Sequence, residues 1–229
     1  MAIRLLNSQE LERSSVVANC TMNRERQLVG VNSYERDLNF DIRAFLQARA
    51  EANSLAWLDL CCGTGRALIE ASAELAKSNL IDRVLIEGVD LAGHFDRNPF
   101  PTLVLHKQTA EAWAATKTYS LITCVHGLHY VGDKLAVIAK AADSLTPDGL
   151  LLANLDLANF RFHDRRPAGR SVAARLRRNG LEYDSRRRLL RCEGRRSVEL
   201  GLGYLGADDA AGPNHTRQPA VDSYYTVLG

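Results

Sequence analysis

Residues 55–70 read LAWLDLCCGTGRALIE. The first six are apolar but for Asp59, short enough for a buried strand and too short for an independent helix. Two cysteines and two glycines follow, and Gly63 and Gly65, lacking Cβ, allow backbone angles and close approaches that other residues resist. From Arg66 the apolar residues fall at helical spacing through "GRALIEASAELAKSN", 65–79. A helix starting there points unpaired N–H groups at whatever occupies the turn. Strand, acid, glycine turn and helix are the unit from which open nucleotide-binding α/β sheets are built.

Outward from this unit, "RVLIEGVDL" (83–91), "TLVLHKQ" (102–108) and "YSLITCVHGL" (119–128) read as further strands. A fifth, "GLLLANLDL" (149–157), follows the turn signal "TPDG". "DKLAVIAKAADSL" (133–145) reads as a helix between the fourth and the fifth. Alternating strands and helices imply parallel crossovers and a doubly wound sheet. Before it, the chain reads as helical to Ala52 with a break over 28–41, and Asp41 is placed to cap a helix over 42–52. After it, the Arg-rich segment 161–180 is expected to contain a helix. Strand-like 187–194 and 197–206, a polar loop over 207–220 and an extended run over 221–228 follow.

Asp90 ends the second strand, 31 positions after Asp59, where a carboxylate can accept both hydroxyls of a ribose. With this acid, "DLCCGTG" resembles the first motif of the class I S-adenosylmethionine-dependent methyltransferases, over about residues 30–160. That resemblance implies S-adenosylmethionine as cofactor, S-adenosylhomocysteine as product, and Asp90 on the ribose. The cofactor-binding set it implies is Tyr34, Asp59, Cys61, Cys62, Gly63, Thr64, Gly65, Asp90, Leu91, Thr109, Ala110, Glu111, Cys124 and His126. Three positions depart from the family pattern: Cys61 stands for its first loop glycine, Thr109 for an acid near the adenine, and Ser120 for an acid before strand four. NAD is the competing ligand, but the dinucleotide fingerprint needs a third glycine.

Methyl transfer is an in-line displacement helped by positioning, and by a base when the acceptor carries a proton. The resemblance places His126 and His129 beside the acceptor as candidate catalytic groups. Tyr34, Arg36, His129, Tyr130, Asp208, Asp209, Asn214, His215 and Tyr224 are candidates for substrate binding, with the polar loop as a lid or as an ordered hairpin connection. Cys61 and Cys62 read as small loop residues rather than nucleophiles.

The five cysteines, Cys20, Cys61, Cys62, Cys124 and Cys192, show no CxxC pair or metal-ligand spacing, so reduced thiols and no metal are expected. No apolar run is long enough to span a bilayer and no signal-peptide pattern is seen, so a cytoplasmic protein is expected. Thirteen arginines lie between Arg161 and Arg196. With few aromatics interleaved for base stacking, they read as a solvated or homodimer-forming face ahead of a nucleic-acid face.

The expectation is one domain, 1–229. It comprises a helical cap over 1–52, a cofactor-binding core over 53–160, and an Arg-rich helix, hairpin and lid over 161–229. The fold class is α/β, a Rossmann-like, mostly parallel seven-stranded sheet. The expected activity is methylation of an oxygen or nitrogen of a small molecule. An RNA or protein methyltransferase, or a cofactor-binding relative that transfers no methyl, are the alternatives.

Overall fold

The computed structural model describes residues 4–18, 25–215 and 218–228. Cys20 lies outside them. The chain opens with short helices α1 (Ser8–Glu12), α2 (Ser15–Ala18) and α3 (Tyr34–Leu38), then α4 (Ile42–Ala52). The Asp41 carboxylate accepts from Ala44 N at 2.9 Å, capping α4 as its sequence implies. Strand β1 (Leu55–Leu60) leads through the glycine turn into α5 (Arg66–Lys77), and β2 (Val84–Asp90), β3 (Leu103–Lys107) and β4 (Tyr119–Cys124) follow. Then come α6 (Lys134–Asp143), β5 (Leu145–Asn154), β6 (Phe160–Phe162) and α7 (Gly169–Arg178). The chain ends in β7 (Glu182–Asp184), β8 (Leu189–Glu193), β9 (Leu202–Asp208) and β10 (Asp222–Val227).

Seven strands form the main sheet in the order β3-β2-β1-β4-β5-β8-β7. The first five are parallel, and β8 is antiparallel to both β5 and β7. The path runs outward from β1 to β3 and then reverses to β4, so the switch point lies between β1 and β4, above the glycine turn. One apolar layer joins α4 and α5 to one face, through Leu46, Leu68 and Trp57. A second joins α6 and α7 to the other, through Ile138, Leu176 and Leu58. Strands buried on both faces read as continuous apolar runs, which is why they were legible.

Several segments differ from expectation: α3 lies inside the break expected over 28–41, and β6 and β7 were not expected. "TPDG" is no turn before β5 but part of it, taken up by a register shift against β4 between Tyr119 and Leu121. Residues 197–201 are not strand. Asn179 and Arg175 at the end of α7 bond to Glu199 and to the Leu200 carbonyl, diverting the backbone before β9.

The remaining strands make a second sheet, β6-β10-β9, with β10 parallel to β6 and antiparallel to β9. It is fastened to the main body by Lys134, 1% exposed, whose Nζ donates to Val131 O, Val221 O and Ser223 Oγ at 2.7–2.8 Å. The N-terminal segment leans on the same sheet, with Leu6 paired to Ala207 and Leu11 packed on Ala207 and Val221. Among the described residues no helix is long and apolar enough to cross a membrane.

Candidate functional site

Asp59 ends β1 with its carboxylate turned inward. Tyr34 OH donates to Oδ2 at 2.7 Å and Thr123 OH to Oδ1 at 2.5 Å, while Trp57 Nε1 donates to Thr123 Oγ1 at 2.9 Å. Burial, opposed by those two hydroxyls, pushes the Asp59 carboxyl up to about 7. Asp59 and Tyr34 therefore form a buried strut behind the turn, and Tyr34 does not lie over the cleft as expected. The reason is the inward carboxylate, which gives the tyrosine hydroxyl a partner in the core.

The turn is left-handed at Cys61 (φ +63°), Gly63 (φ +63°) and Gly65 (φ +79°), the last being the N-cap of α5. Gly63 N donates to Asp90 Oδ2 at 3.0 Å and Ala92 N to Oδ1 at 2.9 Å. Asp90 is thus held at the end of β2 by two backbone donors, at the rim of a cleft. The cleft lies at the carboxyl ends of β1, β2 and β4. Cys61, Gly63, Asp90, Leu91, Thr109, Ala110, Glu111, His126 and Tyr130 line it, as do Gln108, Val125 and Gly127. Ser8, Leu11, Glu12 and Val17 of the N-terminal segment close it on another side.

Other expected residues stand elsewhere. Cys62, Thr64, Gly65 and Cys124 belong to the turn and its underside rather than to the lining. Their neighbours hold the thiols neutral: contact with Cys124 and burial push the Cys61 thiol well up, and burial does the same for Cys62. Arg36 donates to Val31 O at 2.8 Å, outside the cleft. Asp208, Asp209 and Tyr224 do not line the cleft; Asp208 and Tyr224 sit in the β9–β10 pair. Thr109 Oγ1 accepts from Ala112 N, and Glu111 Oε1 from Gly132 N, each at 2.9 Å.

His126 (φ +56°) opens a 3-10 turn after β4, and its backbone N–H donates to Asn154 Oδ1 at 3.3 Å. Asn154 also donates to Asp37 O at 3.1 Å, tying β5 to α3. His129 lies behind His126, 1% exposed, and its backbone carbonyl accepts from Val221 N at 2.9 Å. Burial, then the neighbouring His126 and His215, hold the His129 imidazole well below its ordinary range. The polar loop brings His215 to the same place, its Nδ1 3.0 Å from Asp156 Oδ2. Asn214 accepts from Gln218 N at 3.3 Å, and Tyr130 OH donates to Gln218 Oε1 at 3.2 Å, so the loop is bonded to the cleft rim. Asp156 was missed because it follows β5 in an apolar run; the signal was its place at the carboxyl edge. Among the described residues no cluster of histidine, cysteine or acid has metal-binding geometry.

A family model described as a methyltransferase domain matches residues 31–195. No curated protein matches. Among solved structures, the chain is similar to SAM-bound CalS10, an amino pentose methyltransferase from Micromonospora echinaspora involved in calicheamicin biosynthesis. The identity is 22%, over 58% of this chain and 54% of that one, with a TM-score of 0.40. YjhP from E. coli gives 18% identity, 60% and 54% coverage and a TM-score of 0.41. The plantazolicin methyltransferase BpumL in complex with SAH gives 14%, 59% and 48%, and 0.39. The chain spans about half the length of each of these structures.

Proposed function

The chain belongs to the methyltransferase domain family, and from that premise we propose that it transfers the methyl group of S-adenosylmethionine to an oxygen or nitrogen of a small molecule. The observation that carries this is Asp90, a carboxylate pinned by two backbone N–H groups at the switch-point cleft, beside a turn whose backbone leaves room for a ligand. The residues fit such a cofactor. Asp90 would take the ribose hydroxyls, and Leu91 and Ala110 would flank the adenine. The Cys61–Gly63 backbone would face the methionine end. When bound, the cofactor supplies an electrophilic methyl group on a sulfonium.

The chain's own residues then orient the acceptor, keep water out and take up its proton. A small acceptor is favoured by the closure of the cleft by Leu11, Glu12 and Val17. The arginines of the C-terminal third are assigned to structure. Arg161 pairs with Asp222, Arg188 with Asp156, Arg191 with Glu193 and Arg195 with Asp143, and Arg175 holds the Leu200 carbonyl. In this reading the protein works in the cytoplasm without a nucleic-acid partner, and a homodimer is compatible with its remaining arginine face. Calorimetric titration with S-adenosylmethionine and S-adenosylhomocysteine tests the proposal. Binding of both is expected, and no binding by a folded, ligand-free sample overturns it.

A further inference from the structure

Three imidazoles from two distant segments meet beside the cleft. His126 and His129 come from the turn after β4, and His215 from the loop before β10. Ring centroids are 5.5 Å apart for His126–His129, 5.5 Å for His129–His215 and 6.3 Å for His126–His215. His126 Nδ1 faces His129 Nε2 at 3.4 Å, and His129 Nδ1 is buried with no hydrogen-bond partner among the described residues. Each end of the trio is closed by an acid that is itself paired with an arginine. Asp37 Oδ2 lies 3.6 Å from His126 Nε2 and is bridged to Arg26. Asp156 Oδ2 lies 3.0 Å from His215 Nδ1, and its Oδ1 is 3.7 Å from Arg188 Nε.

The order is therefore Arg26, Asp37, His126, His129, His215, Asp156, Arg188. Of the three rings only His126 lines the cleft. His215 is the most open to solvent, with 21% of its side chain exposed against 9% for His126. Packed imidazoles repel one another when charged, so they compete for one proton. Lys134 and Arg188 add to that repulsion, while Asp37 and Asp156 oppose it. Such a unit holds at most one proton at a time and lies between two carboxylates that can share its charge.

We propose that His126 and His129 act as one proton-holding pair, tuned by the His215–Asp156 pair packed against it, that receives the proton an acceptor loses on methylation. The inference rests on the methyltransferase reading. In that step the acceptor oxygen or nitrogen forms a bond to the methyl carbon as the carbon–sulfur bond breaks, its electron pair staying on sulfur. The acceptor's O–H or N–H electrons stay on oxygen or nitrogen, and the proton forms an N–H bond at His126. His126 Nδ1 and His129 Nε2 then share the proton across their 3.4 Å contact, while the His215 ring, held by Asp156, packs edge-on against His129. The acceptor class is thereby a hydroxyl or an amine bearing a proton; an acceptor without one leaves the unit idle.

The test is a pH titration of the full chain carrying ¹³C-labelled histidine, following the imidazole signals by NMR with S-adenosylhomocysteine at saturation. Exposed His163 serves as internal control. The expected result is that His126, His129 and His215 titrate as a coupled set taking up one proton between them. In His215→Gln the His126 midpoint rises by about 0.5 unit or more, because a competitor for the proton has gone. Three independent one-proton curves in the wild type, or a His126 midpoint unmoved in a folded His215→Gln, overturn the proposal. If that variant does not fold, the wild-type curves decide alone. Loss of S-adenosylhomocysteine binding is a separate outcome, which would overturn the underlying functional reading instead.

Discussion

A Cβ placed on Gly127 would lie 2.3 Å from Cys61 Cβ and 2.8 Å from its sulfur. The two positions are complementary: the turn carries a side chain where φ is +63°, and the strand-end opposite carries none. Left-handed backbone costs a non-glycine residue roughly 1–2 kcal/mol. Gly127→Ala is expected to destabilise by about 1–3 kcal/mol through overpacking. The double variant Cys61→Gly, Gly127→Ala should recover most of that loss, since the two closest colliding atoms are gone and only Cys124 Sγ, at 3.0 Å, remains near. Urea denaturation of the two single variants and the double measures the coupling; a strictly additive result would show that the contact is not the cause.

Asp90→Ala should weaken S-adenosylhomocysteine binding at least about tenfold, equivalent to roughly 1.4 kcal/mol. The fold should survive, because Gly63 N and Ala92 N sit at the rim where water can replace the carboxylate. Calorimetry with circular dichroism on the same sample separates the two effects, and an unchanged affinity in a folded variant contradicts the ribose assignment.

The buried Asp59 makes stability depend on pH in a defined direction. Its folded carboxyl titrates at about 7 against 3.8 unfolded, so between those values the native state holds a proton that the unfolded chain has released. Asp59 therefore contributes most below pH 3.8, and its contribution is lost as pH rises through about 7. The stability gap between wild type and Asp59→Asn should shrink steadily over that window and be flat above it. Chemical denaturation at a series of pH values checks the slope; a gap that widens with pH would refute it.

Lys134→Met should cost at least about 2 kcal/mol, because Val131 O, Val221 O and Ser223 Oγ would lose their donor in a buried setting. The loss should be concentrated in the second sheet. Hydrogen exchange is expected to quicken at Val221 and through β10 while β1 and β4 stay protected, and uniform loss of protection would instead indicate global weakening.

The main sheet was legible because β1, β2, β4 and β5 are largely buried on both faces and the intervening helices have helical spacing, while the half-exposed β3 was read from its apolar start. The cleft was legible in part for the same reason: Cys61, Gly63, Asp90, Thr109 and His126 lie at strand ends that local pattern identifies. Tyr34 was misplaced because local pattern says nothing about which way Asp59 points. The grouping of His215 with His126 and His129 was hidden, since it depends on β10 pairing with β6 across more than sixty residues. Strand 197–201 failed because long-range bonds from α7 outweigh local propensity.

The parallel pairing of β10 with β6 also bears on the order of assembly. By Glu193 the chain has supplied every strand of the seven-stranded sheet, yet Lys134 lacks its acceptors at Val221 and Ser223, and the loop carrying His215 lacks its closure through Gln218, until residues 218–223 have docked. During synthesis, which delivers the N-terminal part first, the main sheet can form while the β6-β10-β9 sheet is still incomplete. A nascent chain of this protein is therefore expected to form its main sheet and glycine turn before His215 reaches the two imidazoles that follow β4.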